Sequence, residues 1–164
     1  MIALNINQKL YEVDLKGHET LLEVLRHYLG LTGTKTACEE AECGACAVII
    51  DGKAVLSCII LASNCEGKKI TTIEGLADGD ELHPIQKSFL DAGAVQCGFC
   101  IPGMIMSSKA LLDKNSEPSR EEMEYALDGN ICRCGGYLKI FEAVRQAGKV
   151  LKVQGRSSKH EDAR

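Results

Sequence analysis

The chain has 164 residues, 45 % of them hydrophobic, a formal net charge of −4, no tryptophan and three phenylalanines. The mild acidity without a basic patch argues against nucleic acid, and no apolar run approaches the roughly 18 residues of a membrane span. The start, Met1-Ile2-Ala3-Leu4-Asn5, lacks the basic and apolar regions of a signal peptide. A reducing cytoplasm follows as the expected location, where nine cysteines read as metal ligands rather than disulfides. The length allows one domain or two small ones, and a modest apolar inventory shared between two cores suits extra staples such as metal clusters.

Ile2, Leu4 and Ile6 alternate with polar residues, Asn7-Gln8 turns the chain, and Tyr11, Val13 and Leu15 alternate again. This predicts a β-hairpin with one buried face. Thr20-Leu21-Leu22-Glu23 is a capping box opening a helix, with Leu21, Leu22, Leu25 and Leu29 on one side and Gly30 as its stop. Strands are predicted at 47–50 and 54–56 around the tight-turn pair Asp51-Gly52, and a last one at 70–73. A small mixed sheet gripping one helix is a β-grasp-like arrangement.

Between the helix and the second hairpin lies Cys38-Glu39-Glu40-Ala41-Glu42-Cys43-Gly44-Ala45-Cys46, with Cys58 downstream. This is the C-x4-C-x2-C…C spacing by which plant-type ferredoxins hold a [2Fe–2S] cluster. Such a cluster carries net negative charge, so a short loop that aims backbone N–H groups inward suits it. Gly44 keeps the chain thin where it would lie against sulfide. Glu39, Glu40, Glu42 and Asp51 read as solvated charges.

Asp78-Gly79-Asp80-Glu81 is the predicted linker, and beyond it the periodicity becomes helical. Pro84 suits a first helical position, with Ile85, Phe89 and Leu90 facing inward. Ile101 to Leu112 is a second helix with a stripe of Met104, Ile105, Ser108, Leu111 and Leu112. Ser119-Arg120-Glu121-Glu122 caps a third that ends near Asp128-Gly129, and Phe141, Val144, Gly148 and Leu151 mark a fourth. The fold class is therefore α+β: a β-grasp domain over 1–77, a four-helix bundle over 83–152, and a polar tail over 153–164 expected to be disordered.

The helical half carries Cys97-Gly98-Phe99-Cys100 and Cys132-Arg133-Cys134, each just before a predicted helix. Both would meet at one end of the bundle, at helix N-termini that favour an anionic group. Four thiolates from two loops make a second site, for a tetrahedral zinc or for an iron–sulfur cluster; zinc sites more often use C-x2–4-C at both ends, and the C-x-C pair favours iron–sulfur. Cys65 is left over as a buried small apolar side chain. His18, His27, His83 and His160 are scattered, with His83 a helix-start residue, so no proton-transfer constellation is present.

Plant-type cysteines followed by Gln96-Cys97-Gly98-Phe99-Cys100-Ile101-Pro102-Gly103-Met104 and Gly129-Asn130-Ile131-Cys132-Arg133-Cys134-Gly135-Gly136-Tyr137 resemble the small iron–sulfur subunit of the xanthine oxidase family of molybdenum hydroxylases, over residues 1 to about 150. The resemblance implies one [2Fe–2S] cluster on Cys38, Cys43, Cys46 and Cys58, and a second, nearer molybdenum, on Cys97, Cys100, Cys132 and Cys134. It also implies that Gln96 and Cys134 contact the molybdopterin cofactor of a large partner subunit, and that electrons leave to FAD on a medium subunit or to another acceptor. By itself Gln96 reads as a loop-stabilising amide. The implied role is electron transfer within a hetero-oligomer, such as a dimer of heterotrimers, without substrate binding by this chain. Xanthine dehydrogenase-like purine oxidation is the leading substrate expectation, with aromatic N-heterocycles or an aryl-CoA ester behind it. Rival readings are a stand-alone two-cluster ferredoxin and a [2Fe–2S]/zinc adaptor.

Two departures from the family pattern stand out. Ala37 and Ala41 occupy positions where the family usually has glycine, at a cost on the order of 1 kcal/mol each if φ must be positive. Gly135 stands where the family commonly has threonine.

Overall fold

The computed structural model describes the backbone of residues 1–161 and the side chains of residues 1–153. Most of the tail expected to be disordered, 153–164, lies outside the residues whose side chains are described. β1 (Ile2–Ile6) and β2 (Lys9–Val13) form the expected hairpin in the register Ile2–Val13, Leu4–Tyr11, Ile6–Lys9. Asn7 and Gln8 both have positive φ, 52° and 64°, the twist a two-residue hairpin turn requires. The same geometry recurs at Asp51-Gly52 between β3 (Ala47–Ile50) and β4 (Lys53–Leu56).

β5 (Lys69–Thr71) completes a sheet of order β2-β1-β5-β3-β4, in which only β1 and β5 run parallel. The last strand ends sooner than the apolar pattern to Ile73 predicts. Thr72 donates its N–H to Asn7 Oδ1 at 2.9 Å and its hydroxyl faces Glu74 at 2.5 Å, which draws it out of the ladder.

The first helix opens on the predicted capping box: Glu23 N–H donates to Thr20 Oγ1 and Thr20 N–H to Glu23 Oε2. α1 (Leu21–Glu23) continues into a π-helical turn over Val24–Tyr28 that Gly30 stops at φ +69°. Leu21, Val24 and Leu25 share a core with Leu4, Ile6, Val48 and Ile70, which is what grips the helix against the sheet.

Four helices follow: α2 (Pro84–Asp91), α3 (Ile101–Leu112), α4 (Arg120–Leu127) and α5 (Tyr137–Glu161). His83 caps α2 through Nδ1, which accepts the Ile85 N–H. Ile85, Phe89, Met104, Ile105, Leu112, Met123, Leu127, Ile140, Val144 and Ala147, drawn from all four, form one core. Leu90 differs from expectation. It is 56 % exposed, because Ile85 and Phe89 at i, i+4 define the buried stripe and Leu90 sits about 100° around from it.

The helical half also rests on the sheet. Met106 and Ala110 of α3 pack on Ala47 and Ile49 of β3. That contact brings the N-terminal end of α3, where Cys100 sits, up to the loop between α1 and β3. Among the described residues no helix is long and apolar enough to cross a membrane.

Candidate metal centre

All nine cysteines are free thiols. In the first loop the backbone curls around Cys38. Glu40 N–H donates to Cys38 Sγ at 3.5 Å, and N–H groups of Glu42 and Cys43 and the Cys43 thiol add to it. Led by the Glu40 N–H, these donors lower the Cys38 thiol to about 7. Cys46 is the opposite case: burial, with Cys58 beside it, pushes it up to about 11. The loop therefore brings its thiols together as the pairs Cys38/Cys43 and Cys46/Cys58. Glu39, Glu40 and Glu42 are exposed, as solvated charges should be.

The curl needs unusual backbone angles. Gly44 is at φ +71°, and a Cβ there would run into the Gly129 carbonyl and the Asn130 amide. Ala41 is also left-handed, at φ +64°, and Glu39 at +57°. Of the two alanines that depart from the family pattern, only Ala41 thus occupies a glycine-favouring conformation.

The second thiol set lies at one end of the helices. Cys100 is the N-cap of α3 and contacts Cys132 across the gap, with Cys97 near enough to oppose its charge. Burial first, then these neighbours, push Cys100 up to about 12. Against the opposing cost of burial, Cys132 is lowered by N–H groups of Gly136, Cys134 and Gly135 and by the Cys100 thiol; Gly136 N–H lies 3.4 Å from its sulfur. Three successive amides aimed at one sulfur form an anion-binding nest at the start of α5. Gly135, at φ +75°, makes that curl possible. Cys97 and Cys134 are exposed, and Cys65 is buried with its thiol raised by burial, consistent with an inert filler.

Sequence reasoning missed several supporting residues. Cys132 N–H donates to Tyr137 Oη at 2.8 Å. Asn130 Nδ2 donates to Gly44 O at 3.1 Å, and Ile131 N–H donates to Cys43 O at 3.0 Å. A Cβ on Gly103 would collide with Gly44 O. The two thiol loops therefore touch directly. In the sequence they stand within the motifs around the cysteines, and that position does not distinguish a support from a bystander.

Gln96 is exposed, and among the described residues its amide takes no hydrogen-bond partner, so it does not brace its own loop. Val95 and Phe99 of the same loop are exposed as well, as are Ile131 and Leu138 on either side of the second cysteine pair. A surface groove of about 570 Å³ lies elsewhere, between β4, α3 and α4, and contains no cysteine.

Among the described residues no three His, Cys, Asp or Glu side chains stand close enough together to hold a single ion. A [2Fe–2S] cluster makes a different demand: four thiolates, two on each iron. The pairs Cys38/Cys43, Cys46/Cys58 and Cys100/Cys132, with N–H donors already directed at sulfur, suit that demand.

Comparison with known proteins bears on both loops. The family described as "2Fe-2S iron-sulfur cluster binding domain" matches residues 4–77, and "[2Fe-2S] binding domain" matches residues 72–145. Fold and thiol loops together define an iron–sulfur protein with two [2Fe–2S] domains. Among relatives, the nicotinate dehydrogenase small FeS subunit of Eubacterium barkeri is 48 % identical over 146 residues, covering 89 % of this chain and 93 % of that one. The xanthine dehydrogenase iron-sulfur-binding subunit of Escherichia coli O157:H7 is 42 % identical over 150 residues, covering 90 % and 94 %. Among solved structures, quinoline 2-oxidoreductase from Pseudomonas putida 86 superposes with a TM-score of 0.88 at 39 % identity, over 92 % of this chain and 94 % of that one. The chain belongs to the small iron–sulfur subunits of the xanthine oxidase family of molybdenum hydroxylases.

Proposed function

We propose that this chain is the electron relay of a molybdenum hydroxylase, passing electrons from a molybdopterin centre on a large subunit to FAD on a medium subunit or another acceptor. The observation that carries the reading is the direct contact of the two thiol loops through Ile131 N–H and Cys43 O. Bound there, each cluster supplies one-electron storage, which lets a two-electron substrate oxidation be divided into single steps.

In this reading Cys38, Cys43, Cys46 and Cys58 hold the outer cluster, in a β-grasp domain over residues 1–77. Cys97, Cys100, Cys132 and Cys134 hold the inner one, in a four-helix bundle over 83–152. The N–H groups of Glu40 and Gly136 stabilise thiolate charge at Cys38 and Cys132. Exposed Cys97, Gln96 and Cys134, set among Phe99, Ile131 and Leu138, make the face that docks on the large subunit. There the free Gln96 amide offers a donor and an acceptor to the polar pterin edge, with Cys134 beside it. Nine cysteines with no disulfide among them suit a reducing, cytoplasmic location, and the relay works within a hetero-oligomer such as a dimer of heterotrimers. The substrate pocket belongs to the large subunit; an aromatic N-heterocycle, purines included, is the class we assign.

Iron and acid-labile sulfide analysis of the purified chain tests the relay. About four of each per chain is the expected result, as two [2Fe–2S] clusters require. Two irons with one zinc overturns the inner cluster, and a native preparation without a molybdenum-containing companion overturns the partner assignment.

A further inference from the structure

Between the two thiol loops sits one buried polar side chain that ligates nothing. Asn130 is 6 % exposed and lies two residues before Cys132. Its amide reaches across 86 positions of sequence to the Gly44 carbonyl, 3.1 Å away, inside the Cys43–Cys46 turn. A carbonyl oxygen only accepts, so the NH2 end of the amide faces it. Gly44 O also accepts the Ala47 N–H at 3.1 Å, so its hydrogen bonding is satisfied within its own loop without Asn130. The Asn130 bond therefore joins the loops rather than completing either one.

Next to it lies the hydrogen bond from Ile131 N–H to Cys43 O. That bond is at the edge, with Ile131 53 % exposed, where water competes for both partners. Asn130 sits on its inner side, bonded to the residue after Cys43. Gly103, in the first turn of α3, lies against the same carbonyl without a side chain, because a Cβ would strike Gly44 O. Asn130 draws the Gly44 carbonyl towards the helical half, and Gly103 sets how close it can come.

We propose that Asn130 is a positioning residue for electron transfer between the clusters: its hold on Gly44 keeps the Cys43–Ile131 hydrogen bond closed and fixes the separation of the two thiol loops. With both clusters bound, the step it would serve is the transfer of one electron from the inner cluster to the outer, the first oxidised as the second is reduced, with no proton and no further reactant. This inference rests on the relay reading above. Transfer by tunnelling falls steeply with distance, so a small opening of the loops slows it without altering either cluster's ligands.

The test uses the complete complex with its clusters loaded, in wild-type form and as Asn130→Ala and Asn130→Leu, the second keeping the branched side-chain shape while removing the donor. Wild-type iron and sulfide content is measured first; a missing cluster there overturns the relay, and this role with it. In both variants the expected results are retained iron and sulfide, unchanged reduction potentials, and a several-fold faster amide hydrogen exchange at Ile131. A weaker spin–spin splitting between the two reduced clusters in paramagnetic resonance, and a several-fold slower intramolecular transfer, should accompany them. Wild-type exchange and splitting in the variants overturns the proposal. So does loss of a cluster from both variants, which would make Asn130 a support of the loops rather than a setter of their spacing.

Discussion

Ile131 N–H donates to Cys43 O at 3.0 Å, so a residue adjoining a thiol of one loop is hydrogen-bonded to a thiol-bearing residue of the other. From Cys43 to Cys132 the connection is one hydrogen bond and the covalent backbone on either side. A relay needs its two carriers close and held still, and a main-chain bond between the loops does both.

Gly44 is the tightest point of that junction. Gly44→Ala places a methyl against the Gly129 carbonyl and the Asn130 amide at a left-handed φ. The expected cost is about 1–3 kcal/mol. It is read as a lower midpoint of thermal unfolding and faster loss of iron, and an unchanged midpoint would contradict the close packing.

Ala41→Gly acts in the opposite direction. At φ +64° an alanine is held where glycine sits without strain. The exchange should stabilise the folded loop by about 1 kcal/mol, less what glycine adds to the freedom of the unfolded chain. Slower release of iron to a chelator is the measurement. The same change at Ala37, which is not left-handed, should give no such gain.

Gln96→Ala removes an exposed amide that takes no partner within the chain. Both cluster signals and the unfolding midpoint should stay, while electron entry from the molybdenum centre slows. Loss of a cluster signal instead would return Gln96 to a structural role.

The pH dependence of stability is set in part by Glu19. Its carboxylate accepts the N–H groups of Lys16 and Gly17 and the Tyr28 hydroxyl. The Lys16 N–H leads in holding it at about 2, against an ordinary 4.5. The folded state thus binds fewer protons at this site than the unfolded state. Its stabilisation is complete above about pH 4.5 and is lost as the pH falls through about 2. Glu19→Gln should flatten the acid limb of the unfolding-midpoint profile in that window and leave it unchanged near neutrality.

Phe89 is fully buried in the core shared by the four helices. Phe89→Ala should lower stability by about 3–5 kcal/mol, seen in denaturant unfolding, and should release the inner cluster before the outer one, whose loop rests on a separate core.

The sequence alone determined what short-range chemistry determines. The hairpin turns at Asn7-Gln8 and Asp51-Gly52, the capping boxes at Thr20 and Ser119, and the starts of α2 and α3 depend on residues within four positions of one another. The cysteine spacings of both loops were legible too, since spacing is itself local. Tertiary structure decided the rest. Leu90 turns outward because Ile85 and Phe89 take the single buried stripe of an eight-residue helix. Ala41, not Ala37, carries the left-handed angle because the loop curls after Cys38 rather than before it. Above all, the meeting of Gly44 with Asn130 and of Cys43 with Ile131 spans more than eighty residues and exists only because α3 docks on β3. No periodicity encodes that docking. It follows from which apolar faces remain uncovered once each half has folded, and there the distance between the two loops is set.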